Sequence, residues 1–156
     1  MFLRKRNAKF LILAVLIILI YVSGFIMRNY KRDEKPLMFV VDEVLDGDTI
    51  LIETGEYVRL IGIDSPEKNQ SFYNESKAFL ESLILSRPVI LKIDTRDRDN
   101  YNRLLRYVYL NNLNINIEMV KQGYARPMHI SPDISQKEKI DQAWQECLKN
   151  KVNLCQ

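Results

Sequence analysis

One stretch limits what this chain can become: Val58-Arg59-Leu60-Ile61-Gly62-Ile63-Asp64-Ser65-Pro66-Glu67. Its aliphatic and β-branched residues predict a strand, yet a charged Arg59 stands inside it. An arginine enclosed by apolar neighbours is rare unless something anionic meets it. The stretch ends in an aspartate, a proline and a glutamate, and carboxylates gathered at a strand end suit a cation. An arginine with a cation beside it suits phosphate. Parity raises a difficulty. Residues 59 and 64 are an odd number apart, so a regular pleat sends Arg59 and Asp64 to opposite faces. For the two to converge the strand has to break phase, and Gly62 is the expected place for a bulge or bend.

The rest of the chain can be asked to complete that site. Its 156 residues fit one domain with a modest core, and 47% hydrophobic content with few Gly and Pro describes a folded chain. Charge is unevenly placed. Residues 1–35 hold eight of the 23 basic residues and two of the 20 acids, which leaves 15 basic against 18 acidic residues in 36–156. A net of −3 there excludes the bulk basic footprint of a passive nucleic-acid binder. Phosphate has to be held locally.

Phe10 to Met27 is a run of 18 residues without a charge. At about 1.5 Å per residue a helix of that length spans roughly 27 Å, close to a bilayer's hydrocarbon core. The run predicts a transmembrane anchor that keeps the domain outside the cytoplasm. The alternative is a signal peptide cleaved near Val22-Ser23-Gly24, which would release the domain. Residues 1–35 are therefore expected to be anchor and linker, and 36–156 the folded domain.

Within 36–156, short alternating segments predict strands at 38–44, 49–53 and 58–64, turned by Asp46-Gly47-Asp48 and Thr54-Gly55-Glu56. The period changes to helical over 71–85, with Phe72, Phe79, Leu80, Leu83 and Ile84 near one face. Strands follow at 89–93 and 104–110, separated by the polar loop 94–102. A short helix over 115–122 ends at Gly123. A last helix starts at Ser135, where Ser135-Gln-Lys-Glu138 has capping-box spacing. Its apolar face is Ile140, Ala143, Trp144, Cys147 and Leu148. This order describes an α+β fold: a five-stranded, oligonucleotide-binding (OB) type β-barrel with three helices.

Four pieces of chemistry converge on such a frame. Asp48 opens the second strand, Arg59 lies on the third, Asp64, Ser65 and Glu67 sit at its end, and Arg103 opens the fifth. Two aspartates, a Ser65 carbonyl and waters suit a hard cation such as calcium. Two arginines suit the oxygens of a phosphodiester. Glu67 is placed to take a proton from an attacking water. Asp46 reads as a turn residue, since one turn rarely aims two neighbouring carboxylates at one ion.

At these residues the chain resembles the staphylococcal nuclease (thermonuclease) family. The resemblance runs through Val44-Leu-Asp-Gly-Asp-Thr-Ile50, Val58 to Glu67, Asp99-Asn-Tyr-Asn-Arg-Leu-Leu-Arg-Tyr-Val-Tyr109 and Ile115 to Ala125. It implies a calcium-dependent endonuclease that acts on DNA and RNA and leaves 3′-phosphate ends. Asp48, Asp64 and the Ser65 carbonyl would then hold the metal. Glu67 would be the general base, Arg59 and Arg103 the phosphate clamp, and Tyr101 would lie against the nucleotide. Ser65 stands where a threonine is usual, which a main-chain ligand tolerates. Asn102 replaces a glycine, and asparagine tolerates left-handed backbone angles. His129 falls near a nucleotide-stacking tyrosine of the family and is the second substrate-binding candidate.

The competing expectation is an inactive barrel that binds single strands or a protein partner. Retention of every acid, base and arginine position stands against it. A monomer is expected. Cys147 and Cys155 would pair in an exported domain, or leave Cys147 as a buried thiol on the last helix.

Overall fold

Arg59 is buried because the strand that carries it is bonded on both sides. The structure, a computed structural model, describes residues 15–25 and 36–156. The chain divides into two compact units, Met1–Lys35 and Pro36–Gln156. In the first, residues 15–25 are helical and exposed. The expected span Phe10–Met27 runs past them at both ends, and that remainder lies outside the described residues. Among the described residues no helix is long and apolar enough to cross a membrane.

The second unit begins with a meander of β1 (Met38–Val44), β2 (Thr49–Ile52) and β3 (Tyr57–Leu60), followed by a two-residue β4 (Ile63–Asp64). Helix α1 (Tyr73–Ile84) leads to β5 (Pro88–Lys92) and β6 (Leu104–Leu110), and β7 (Leu113–Asn114) runs into α2 (Ile115–Lys121). The chain ends with β8 (Arg126–Pro127), α3 (Lys137–Asn150) and a 3-10 turn, Asn153–Cys155. The sheet order is β3-β2-β1-β5-β6-β7, and a parallel pairing of β3 with β6 closes it. The five long strands are those expected, with α1 between the third and fourth. This is the five-stranded closed barrel of the OB type. Strand β1 serves two neighbours by bending: Met38–Val40 pair with β5, whereas Val41–Val44 pair with β2 across a register shift between Val41 and Glu43.

Val41, Ile50, Ile52, Val58, Leu60, Val89 and Val108 fill the barrel, each at most 1% exposed. Helices α1, α2 and α3 cap it with Leu80, Ile84, Met119, Val120 and Ile140, all fully buried. Two helices depart from expectation. Phe72 caps α1 in a left-handed conformation (φ 69°), and the buried face of that helix is Ser76, Leu80 and Ile84. The capping box at Ser135 does not form: α3 starts two residues later with no side-chain cap, because the Ser135 N–H donates to Asp94 Oδ2 (2.8 Å). Leu148 on the last helix is exposed rather than core. The tail folds back, held by a Cys147–Cys155 disulfide (Cα–Cα 5.8 Å) and by Leu154 N–H donating to the Gly123 carbonyl. Of the two expectations for the cysteines, pairing is the one observed.

The phase break falls where parity requires it. Strand β3 stops at Leu60, Gly62 turns through φ +82°, and β4 resumes at Ile63. A Cβ at residue 62 would also lie 2.6 Å from Ile140 Cδ1. Gly62→Ala therefore adds backbone strain to a clash with α3, and urea unfolding should show a loss of about 2 kcal/mol or more.

Candidate active site

Strand register builds the site before any side chain is considered. Thr49 lies opposite Arg59 across β2–β3, and Arg59 lies beside Leu105 across β3–β6. Arg103 is two residues before Leu105, so the pleat puts Arg103 and Arg59 on one face. The Leu60 N–H donates to the Asp48 carbonyl (2.8 Å), which ties the Asp46–Asp48 turn to the end of β3.

The Arg59 guanidinium bridges two carboxylates. Nη1 lies 3.1 Å from Asp48 Oδ1 and donates to the Leu60 carbonyl (2.7 Å), while Nη2 donates to Asp64 Oδ1 (3.1 Å). Arg59 is 8% exposed and Asp48 is 5% exposed, whereas the Asp64 side chain is about half exposed. Asp48 Oδ2 accepts the Ser65 N–H (2.7 Å), and Oδ1 accepts the Thr49 hydroxyl (3.1 Å). Arg103 completes the row: Nε donates to Asp99 Oδ2 (2.8 Å) and Nη1 to Thr49 Oγ1 (3.3 Å). A continuous set of contacts thus runs Arg103–Thr49–Asp48–Arg59–Asp64. Both guanidiniums keep N–H groups without partners among the described residues.

Backbone packing fixes this row. The Asp48 N–H donates to Asp46 Oδ1, the role expected of Asp46 as a turn residue. A Cβ on Gly47 would lie 1.8 Å from Ser76 Oγ and 2.7 Å from Ser65 Cβ, so only glycine lets the turn press against α1 and the end of β4. Asn102 adopts φ +66°, the left-handed turn expected of it, and returns the chain to Arg103.

The row opens on a cavity of about 410 Å³ lined by Arg59, Gly62, Asp99, Tyr101, Arg103 and Met128, among others. Tyr101 is 82% exposed at its rim, with the Arg103 guanidinium 5.5 Å from its ring centre. Arg96 and Arg98 also line the cavity but are committed to acids. Arg98 grips Glu56 through two bonds (2.7 and 3.1 Å), and Arg96 Nε donates to Asp133 Oδ2 (2.6 Å).

Two expected site residues stand apart from the row. Glu67 is exposed on the turn after β4, and its carboxylate has no partner among the described residues; its backbone alone is bonded, the N–H to Gln70 Oε1 and the carbonyl to the Gln70 N–H. His129 does not line the cavity. Its neighbours Met128 and Ile130 do, and the alternation turns His129 the other way, where Nε2 meets Asp141 of α3 at 2.7 Å. In this structure His129, the second substrate-binding candidate, is a partner of α3. Thr49, Asp99 and Asp133 were not anticipated. Asp99 carried a readable signal, an acidic residue four before an arginine across a turn.

Burial pushes the Asp48 carboxyl up to about 6 against the pull of Arg59, and Asp46 adds to the rise. Asp64 Oδ2 has no partner among the described residues. Among the described residues no group of three or more His, Cys, Asp or Glu forms a metal cluster. The donor set fits a hard cation that keeps waters and takes carbonyl oxygen, and not a closed zinc-type site.

Free guanidinium N–H groups, two carboxylates on one of them and an open cavity beside both define a site for processing phosphodiesters. The family comparison agrees. Residues 57–156 match the model described as "Staphylococcal nuclease homologue", and the chain belongs to that family. It is 30% identical to a thermonuclease of Staphylococcus intermedius over 164 aligned residues, covering 97% of this chain and 98% of that protein. A thermonuclease of Staphylococcus hyicus is 31% identical over 74% of each chain. An uncharacterized endonuclease of Haemophilus influenzae is 37% identical over 76% of this chain and 64% of its own length. The protein is a nuclease, a hydrolase of phosphodiester bonds.

The acids that order the cavity wall also give an acid limb to stability. Burial alone would raise the Asp133 carboxyl, but bonds from the N–H groups of Arg96 and Thr95 and from the Arg96 side chain outweigh it and hold it below its ordinary value. A depressed carboxyl stabilises the fold above its unfolded value of about 3.9, and that contribution is lost as pH falls through the lower folded value. Asp133→Asn should cost about 2 kcal/mol near neutrality, and the difference should shrink below about pH 4 in melts recorded across pH.

Proposed function

We propose that this protein is a calcium-dependent endonuclease that cleaves DNA and RNA with little sequence preference and leaves 3′-phosphate ends. The observation that carries the proposal is the row Arg103–Thr49–Asp48–Arg59–Asp64, with unspent guanidinium N–H groups on the wall of an open cavity.

Arg59 and Arg103 grip the non-bridging oxygens of the scissile phosphate and hold it in line for attack. Glu67 takes a proton from water as the water oxygen bonds to phosphorus. On the opposite side the bond to the 5′-oxygen breaks, and that oxygen is protonated from solvent. The arginines meet the negative charge that grows on the phosphate oxygens, a contribution larger in the transition state than in the ground state. Asp48, Asp64 and the Ser65 carbonyl would hold calcium, which when bound supplies Lewis-acid stabilisation of that charge. Tyr101 offers its exposed ring to a base, a contact tolerant of sequence.

The protein is proposed to act as a monomer, with Phe10–Met27 anchoring the nuclease domain to the outer face of a membrane. Release by cleavage near Val22-Ser23-Gly24 is the other outcome of the same test. A C-terminally tagged chain should sediment with membranes; a form confined to the medium and starting near Phe25 would refute the anchor.

The catalytic test uses the full chain purified in detergent, plasmid as substrate, and calcium followed by chelator. Cleavage should require calcium, and Glu67→Gln should lower kcat by about 10²–10⁴-fold. Arg59→Lys and Arg103→Lys should each lose most activity, because an ammonium cannot replace the planar fork. Calcium-independent cleavage, or full activity in Glu67→Gln, would overturn the reading.

A further inference from the structure

A second depression lies beside the bridged carboxylates, separate from the cavity that Tyr101 borders. Its volume is about 230 Å³, and Asp64, Ser65, Gln70, Ser71, Arg126 and Leu154 are among the residues that line it. The two share no lining residue, yet each reaches the bridge: Arg59 faces the larger one and Asp64 the smaller. A strand whose scissile phosphate sits at the bridge has space on both sides.

The smaller depression holds donors that the fold does not use. Arg126 lies directly opposite Asp64 in the antiparallel β4–β8 pair, close enough for side chains to meet. Asp64 gives its Oδ1 to Arg59 instead. Arg126 makes no ion pair or side-chain hydrogen bond among the described residues, and it is exposed. Gln70 spends Oε1 on the Glu67 N–H and leaves its amide NH₂ without a partner among the described residues. The Ser71 hydroxyl likewise has no partner among the described residues. Every other arginine bordering the site is bonded to an acid: Arg59 to Asp48 and Asp64, Arg96 to Asp133, Arg98 to Glu56 and Arg103 to Asp99. The apolar part of the lining is Pro66 and Leu154, and Leu154 sits in the tail that the Cys147–Cys155 disulfide holds in place.

Size decides what fits. Pockets that enclose a whole small ligand run from about 300 Å³ upward. At about 230 Å³ and open to solvent, this one suits a single unit of a longer chain. Its chemistry is one free guanidinium, an amide and a hydroxyl beside an apolar wall. That matches a phosphate with its attached sugar. Asp64 does not oppose this, because its charge is already shared with Arg59.

We propose that Arg126, with Gln70 and Ser71, binds the phosphate adjacent to the scissile one, so that the nucleic-acid strand runs through both depressions and is held on either side of the bond that breaks. This rests on the reading of the Arg59 bridge as the scissile-phosphate site. Arg126 is a positioning residue here, and its effect reads out in binding.

The test is fluorescence anisotropy of the full chain with a labelled single-stranded oligodeoxynucleotide of about 12 residues, titrated in chelator at several salt concentrations. One lost phosphate contact should make the slope of log K against log[salt] shallower by about 0.7. Arg126→Gln should show that change, and Arg126→Lys should restore it because the charge is kept. Melting curves establish that each variant is folded. A folded Arg126→Gln with the wild-type slope overturns the proposal, as does an equal loss in Arg126→Gln and Arg126→Lys, which would mark a packing role. Calcium-dependent plasmid cleavage is scored separately. Wild-type chain that binds through Arg126 but never cleaves would sink the catalytic reading and leave this one standing.

Discussion

The Arg59 guanidinium between Asp48 and Asp64 is the contact on which the rest of the site depends. It is an unfavourable place to keep charge. Withdrawing such ions from water costs several kcal/mol each, and mutual attraction repays that only in part. Asp48 records the imbalance, since its carboxyl is held near 6 even with an arginine against it. The fold does not draw stability from this bridge; the apolar barrel and its three helices supply that. Backbone forces the charges together instead. The Ser65 N–H fixes one Asp48 oxygen, the Leu60 N–H fixes the turn, and Gly47 lets both close on α1. What the molecule gains is a set of charges already ordered before substrate arrives, so little reorganisation is left for the reaction.

Around the bridge, arginines divide by what they touch. Arg96, Arg98 and Arg106 neutralise Asp133, Glu56 and Asp97, and with them the polar loop after β5 becomes a rigid wall. Arg59 and Arg103 are tethered by acids at one edge and offer the other to the cavity. This division explains how a domain of net −3 holds an anionic polymer. Three arginines beside the cavity are consumed by acids, and two others, Arg59 and Arg103, face it with N–H groups to spare.

Much of this could be read from the chain. Alternation gave the five long strands, although the third stops at Leu60 instead of running on to residue 64, and strand parity alone required the break that Gly62 makes at φ +82°. Arg59, Asp48 and Asp64 converge as their types and spacing implied. What sequence did not disclose depends on partners distant along the chain. Asp133 organises a loop some forty residues earlier through Thr95 and Arg96, and no local pattern announces it. Thr49 looked like an ordinary strand residue until register put it between two arginines. Ser135 had the spacing of a helix cap but was captured by Asp94 of the same loop, and His129 by α3. Local rules failed where a tertiary hydrogen bond offered more.

The parallel pairing of β3 with β6 bears on more than architecture. It joins segments far apart in the chain, Val58 with Leu104, and such contacts form late because the intervening loop must close first. Arg59 rides on one of these strands and Arg103 leads into the other. Until that seam is made nothing holds Arg59 and Arg103 side by side, so the row they share is assembled only with the closed barrel.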